Sequence, residues 1–170
     1  MLDAGVDGVI VPQVNSVAEA QAAVQWTKYR PLGQRGVGIG RAQGFGKNFA
    51  DYIARANDEV LTIVQIEHID AVNALEGIVK VEGIDGVFVG PYDLSDSMGL
   101  RGQIDHPQVQ GAIAATARIC AAKNMLSGIF TGNAAAAKAR IAEGFRLIAM
   151  GTDGLLLSGA AGEALKTAKN

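Results

Sequence analysis

Of the 170 residues only one is cysteine, two are histidine and four are proline. Cys120 has no second cysteine with which to close an internal disulfide, so a reducing cytoplasm is the default setting. It sits in an apolar helical pattern and reads as a buried, inert thiol. Without a cysteine pair or closely spaced histidines there is no zinc-type ligand set, and no Ser/His/Asp order stands out. An excess of one charge is also missing. Fifteen Lys and Arg face 17 Asp and Glu, a net charge of −2. That balance offers no basic surface to nucleic acid or to an anionic membrane, and neither is expected as a partner. No apolar run approaches the roughly 20 residues of a membrane-spanning helix. The start, Met1-Leu2-Asp3-Ala4-Gly5, lacks the basic stretch and apolar run of a secretory leader.

What remains is apolar: 49% of residues are hydrophobic and the mean hydropathy is +0.19. This argues against disorder, and 170 residues suffice for one domain with a real core. Strand-like and helix-like segments alternate. Asp7 to Pro12 reads as a buried strand, and Ser16, with Glu19 three residues on, caps a helix from Val17 to about Lys28. Pro31 to Gly46 is glycine-rich and irregular. Asn48 is placed to cap a short helix to Ala56. Val60 to Glu67 is a strand, followed by a helix from about Ile69 to Val79. Asp85 to Val89 is a strand, with a long loop to Asp105. His106 and Pro107 open a helix ending near Lys123. Met125 to Thr131 is a strand, and Asn133 caps a helix to about Glu143. Arg146 to Met150 is the last strand and Leu155 to Ala168 the last helix.

Five short, continuous apolar strands alternating with helices indicate an α/β fold with a parallel sheet covered on both faces. The run Gly5-Val6-Asp7-Gly8-Val9-Ile10-Val11-Pro12 is echoed by Gly83-Ile84-Asp85-Gly86-Val87-Phe88-Val89-Gly90-Pro91. Repeated punctuation of this kind is more typical of a barrel than of a Rossmann sheet. A complete (β/α)₈ barrel needs eight such units and about 250 residues. Five are expected here, beginning with what reads as a helix end, so about three N-terminal units are expected to be absent.

Glu67 and Asp93 each follow an apolar strand, at the edge where parallel α/β folds carry out chemistry. Two carboxylates there suit a hard divalent cation, with substrate oxygens completing its shell. The plainer alternative is that Glu67 caps the next helix and Asp93 the turn at Leu94-Ser95. In the turn Gly90-Pro91-Tyr92-Asp93, backbone N–H groups of Tyr92 and Asp93 are placed to meet a carboxylate; the alternative is an ordinary tight turn. Gly33-Gln34-Arg35-Gly36-Val37-Gly38-Ile39-Gly40-Arg41 looks superficially like a phosphate loop but lacks its Lys-Ser/Thr end. Arg35 and Arg41 are more plausible in a loop-fixing salt bridge than on an anionic ligand or a neighbouring subunit. His68 follows Glu67 and points away from it by strand alternation. His106 reads as a helix-start residue.

Taken together, these motifs resemble the metal-dependent (class II) HpcH/HpaI aldolases. The matching runs are Leu2-Asp3-Ala4-Gly5, Val11-Pro12-Gln13-Val14, Pro31 to Gly38, Val64-Gln65-Ile66-Glu67, Gly83 to Ser95, Met98-Gly99 and His106-Pro107. The resemblance implies a (β/α)₈ TIM barrel of the phosphoenolpyruvate/pyruvate type. Residues 1–170 would be a single partial domain, its C-terminal two-thirds. It implies reversible cleavage of a 4-hydroxy-2-oxo acid to pyruvate and an aldehyde through a metal-stabilised enolate. It further implies a Mg²⁺, Mn²⁺ or Co²⁺ cofactor and a homo-oligomer, a hexamer that exchanges its last helix. Glu67 and Asp93 match the metal ligands, Gln65 a substrate-contacting glutamine, and the turn at Tyr92 and Asp93 the one that holds the pyruvate carboxylate. Asp3 matches an aspartate that raises the basicity of the family's catalytic histidine. That histidine and a substrate-binding arginine belong upstream of Met1, and neither His68, His106 nor Arg35 matches them.

Two other readings compete. One is a remnant that keeps the metal and carboxylate pocket without catalysis. The other is a citrate-lyase-type barrel, against which the fit of the Pro31 to Gly40 loop argues. A five-strand arc is also expected to expose inner-face residues such as Val9, Val11, Val64 and Val87, and so to associate.

Overall fold

A computed structural model of the chain describes residues 1–169. Five strands form one sheet: β1 (Gly8–Val11), β2 (Leu61–Ile66), β3 (Gly86–Val89), β4 (Leu126–Thr131) and β5 (Leu147–Met150). They pair in parallel, in the order β1-β2-β3-β4-β5. Strictly sequential order means every crossover advances by one strand in the same sense. A doubly wound sheet must reverse its strand order somewhere. This one does not, and it is an arc of a barrel. Helices α1 (Val17–Thr27), α2 (Phe49–Glu59), α3 (Ile69–Ile78), α4 (Pro91–Ser97), α5 (Pro107–Ala122), α6 (Ala134–Ala142) and α7 (Asp153–Lys169) fill the connections.

Several boundaries follow from capping chemistry. The Ser16 hydroxyl accepts from Glu19 N, and Asn133 Oδ1 from Ala136 N. His106 caps α5 through Nδ1, with Pro107 at the first helical position. Asn48 stands at the start of α2, but its side chain makes no capping bond, and the helix runs on to Glu59. The expected loop to Asp105 is corrected: the seven-residue α4 occupies its first part. Gly90-Pro91 opens that helix, because proline's missing N–H costs nothing at a helix start.

The core lies between sheet and helices. Val64, Ile66 and Val87 pack under Ala20, Ala23 and Val24 of α1 and Ala71, Leu75 and Ile78 of α3. Val89 and Ile129 pack under Leu94 of α4 and Val109 and Ile113 of α5. Each such Val, Leu or Ile side chain taken fully from water contributes about 1.5–3 kcal/mol. The expectation that Val9, Val11, Val64 and Val87 lie exposed on the inner face is therefore overturned: Val64 and Val87 are fully buried against helices, and Val9 and Val11, partly buried, share that face in register. Alternation puts Ile10, Leu61, Ile63, Gln65, Phe88 and Phe130 on the opposite face. Of these, Ile10 and Leu61 are exposed.

One charge pair, its lysine buried and its aspartate half-buried, ties the amino edge together. Lys28 Nζ donates to Asn57 O (2.9 Å), Val60 O (2.6 Å) and Asp85 Oδ2 (2.9 Å), and Thr62 N donates to the same Asp85 oxygen. Helix α7 buries no side chain at all, and Leu155, Leu156, Leu157 and Leu165 are each more than half exposed. Among the described residues no helix is long and apolar enough to cross a membrane.

Candidate active site

Glu67 follows β2 directly, and Gly90-Pro91 follows β3, so both stand at the carboxyl edge of the sheet. Gln65 and Glu67, two residues apart, share the inner face. Gln65 is opposite Phe88 in register, which puts Gly90 beside Glu67. The Glu67 side chain is buried, with the residue only 4% exposed. Its Oε1 accepts from the backbone N (2.9 Å) and the Nε2 (3.0 Å) of Gln13, and its Oε2 from Gln65 Nε2. All these donors are neutral amides. Among the described residues, no Lys, Arg or His pairs with this carboxylate, whereas the other buried charges, Lys28 and Arg35, are both paired. A buried, ionised carboxylate normally has a counter-charge.

Gly90 explains how room is kept. A Cβ there would lie 3.0 Å from both Gln65 Nε2 and Glu67 Oε2 and 3.1 Å from Glu67 Cβ. Its φ of −101° suits any residue, so the glycine is required by space and not by backbone conformation. Beside it opens a cavity of about 180 Å³ lined by Gln65, Phe88, Gly90, Tyr92, Asp93 and Phe130. Asp93 is exposed in the first turn of α4, with no partner for its side chain among the described residues. The first bond of that helix runs from Leu94 N to Gly90 O, so the N–H groups of Tyr92 and Asp93 precede the helical ladder. Oxygen donors on Glu67 and Asp93, neither with a counter-charge among the described residues, with space held open at Gly90, fit a hard divalent cation.

The structure brings Gln65, Glu67, Tyr92 and Asp93 to this edge. It places Asp3 at the other end. Asp3 precedes β1, and its Oδ1 accepts from Arg35 Nη2 at 2.7 Å. Arg35 lies over the Tyr29 ring (4.5 Å to its centre) and donates to the Tyr52 hydroxyl (3.2 Å). Burial pulls the Arg35 pKa down, but the bonds to Asp3 and Tyr52 outweigh it and hold the guanidinium charged. Burial pushes the Tyr29 phenol up against the pull of Arg35. Arg35 therefore makes the loop-fixing salt bridge read from the sequence. Two glycines of its loop, Gly38 and Gly40, answer to Asp3. A Cβ at Gly40 would strike Asp3 O at 2.4 Å, and one at Gly38 would meet Asp3 Oδ2 at 2.8 Å.

His68, not Glu67, caps α3, accepting from Asp70 N through Nδ1 at 3.1 Å. Asp93 lies within α4 and makes no capping bond. Gln13 was not singled out by sequence reasoning. Its contribution depends on a left-handed φ of 57°, which nothing in the local sequence signals.

Residues 1–160 match the profile of the HpcH/HpaI aldolase/citrate lyase family. The chain belongs to that family. It is 42% identical over 163 residues to a hydroxypyruvate/pyruvate aldolase of Cupriavidus necator, covering 95% of this chain and 60% of that protein. It is 42% identical over 162 residues to a 4-hydroxy-2-oxo-heptane-1,7-dioate aldolase of Escherichia coli, covering 95% and 62% respectively. A solved HpcH/HpaI aldolase/citrate lyase family protein of Burkholderia cenocepacia superposes with a TM-score of 0.94 at 36% identity, covering 99% of this chain and 67% of that one. The chain thus spans about 60% of the length of the curated relatives it matches. The five-strand arc is a partial barrel of the same architecture, and the relatives' names mark it as an enzyme fold of the aldolase type.

Proposed function

We propose that this chain carries the cation-and-oxo-acid half of a class II aldolase centre, for reversible cleavage of a 4-hydroxy-2-oxo acid to pyruvate and an aldehyde. The observation that carries this reading is Glu67: a buried carboxylate at the catalytic edge, held by three amide donors and lacking any cationic partner among the described residues. When bound there with Asp93, a divalent cation (Mg²⁺, Mn²⁺ or Co²⁺) supplies Lewis acidity at the carbonyl of a 2-oxo acid. Glu67 and Asp93 hold it from two strand ends. The N–H groups of Tyr92 and Asp93 receive the substrate carboxylate, and Gln65, on the cavity wall, orients the oxo group. Phe88 and Phe130 shield the far side from water.

The proton-transfer partner is not among these groups, since His68 and His106 are both engaged as helix caps. Asp3, in its proposed role of raising the basicity of the family's histidine, stands at the opposite edge of its own sheet. It serves such a histidine only across an interface with another copy. The unpartnered leucines of α7 support the same assembly, a homo-oligomer, hexameric in the full-length family, that exchanges this helix.

Pyruvate titrated into the chain should bind only when Mn²⁺ is present. Equal binding in chelator would refute cation-dependent recognition. Pyruvate release from a 4-hydroxy-2-oxo acid with Mg²⁺, Mn²⁺ or Co²⁺ should be far slower than with a full-length relative. Comparable turnover would refute the missing-base reading.

A further inference from the structure

Gln13 makes two of the three hydrogen bonds on Glu67, both to the same oxygen: its backbone N–H at 2.9 Å and its Nε2 at 3.0 Å. To do so it adopts φ 57°, a left-handed conformation that a residue with a side chain rarely takes and that costs about 1 kcal/mol or more. It lies just past β1, 54 residues before Glu67 in the chain, so this contact joins the ends of two adjacent strands. Strain kept beside a buried carboxylate points to a use.

We infer that Gln13 is a positioning residue for the cation site: its strained backbone and its amide together lock Glu67 Oε1, so that Oε2, beside Gly90, is presented to the cation. The inference rests on Glu67 being a cation ligand. Locking a ligand before the cation arrives removes the cost of ordering it afterwards, and outer groups of this kind tune affinity as strongly as some ligands do. Gln65, on Oε2, holds the same carboxylate from the other side. Its single donor sits on the oxygen the cation approaches, so Gln13 is the permanent restraint.

The test is Mn²⁺ titrated calorimetrically into the whole chain and into Gln13→Ala, Gln13→Gly and Glu67→Gln, with Tm of each measured in chelator. Gln13→Ala and Gln13→Gly both lose the Nε2 donor and should each weaken Mn²⁺ about tenfold. Gln13→Gly should do so with a Tm equal to or above that of the unchanged chain, because glycine relieves the left-handed strain. A merely structural role would not separate the two readouts. Affinities within twofold in both variants, with binding lost in Glu67→Gln, overturn the inference alone. Unchanged binding in Glu67→Gln overturns the cation reading and this inference with it.

Discussion

Gly90→Ala is the substitution whose sign depends most sharply on how Glu67 is held. Its backbone angles, φ −101° and ψ 91°, are open to alanine. On backbone grounds alone the change would stabilise by about 0.4–1 kcal/mol, by restricting the unfolded chain. Against this stand three contacts of the added methyl, at 3.0, 3.0 and 3.1 Å, to Gln65 Nε2, Glu67 Oε2 and Glu67 Cβ. If those atoms gave way by a few tenths of an ångström, the entropy gain would win. They are held by the bonds from Gln13 and Gln65 in a residue that is 4% exposed, so overpacking at about 1–3 kcal/mol wins instead. The expected net loss is about 1–2 kcal/mol, a fall of roughly 2–8 °C in Tm for a chain of this size. Gly111→Ala is the control. No atom outside its own helical turn lies within 4 Å of a Cβ there, in the second turn of α5, and the change should stabilise by about 0.5–1 kcal/mol. Thermal unfolding in chelator, followed by circular dichroism, reads both. A Tm for Gly90→Ala at or above that of the unchanged chain would refute the rigid Glu67 clamp.

Lys28→Met should lower the urea midpoint by an amount equivalent to roughly 3 kcal/mol, because it strands Asp85 and two carbonyls that Lys28 satisfies; a loss under about 0.5 kcal/mol would mean the pair is dispensable. Desolvation pushes the Cys120 thiol from its ordinary 9.0 up to about 11, so it should resist thiol reagents at pH 8 until the chain unfolds. Below pH 9 both folded and unfolded thiols hold the proton. Between about pH 9 and 11 only the unfolded one ionises, so stability should fall across that window, and Cys120→Ala should flatten the fall. Leu156→Asp with Leu157→Asp should dissociate the proposed homo-oligomer in sedimentation while leaving the unfolding of the arc unchanged, since α7 buries none of its side chains. An unaltered sedimentation coefficient would exclude α7 from the interface.

The alternation of strands and helices was legible because each strand is a short apolar run and Ser16, Asn133 and His106 mark helix starts by their own chemistry. Helix α4 was not, since seven residues are too few for a periodic pattern and Gly90-Pro91 reads equally as a turn. The parity of β2 was misjudged for Val64, although Gln65 and Glu67 set it: polar groups at the open edge leave their neighbours Val64 and Ile66 to the helices. The placement of Glu67, Tyr92 and Asp93 at the carboxyl edge was legible from strand ends and a turn, and Gln65 was picked out by the family resemblance. Gln13 as the partner of Glu67 was not legible, and Arg35, although read as a salt-bridge residue, was not matched to Asp3, because the contacts span 54 and 32 residues and depend on tertiary approach.

Glu67 and Asp93 are proposed to hold a divalent cation at the carboxyl edge. Anomalous diffraction at the manganese absorption edge, from crystals of the chain soaked in Mn²⁺ and pyruvate, tests it directly. A single strong peak about 2.0–2.3 Å from carboxylate oxygens of both Glu67 and Asp93 is the expected result. A fully occupied peak elsewhere, with none between these two residues, would contradict it.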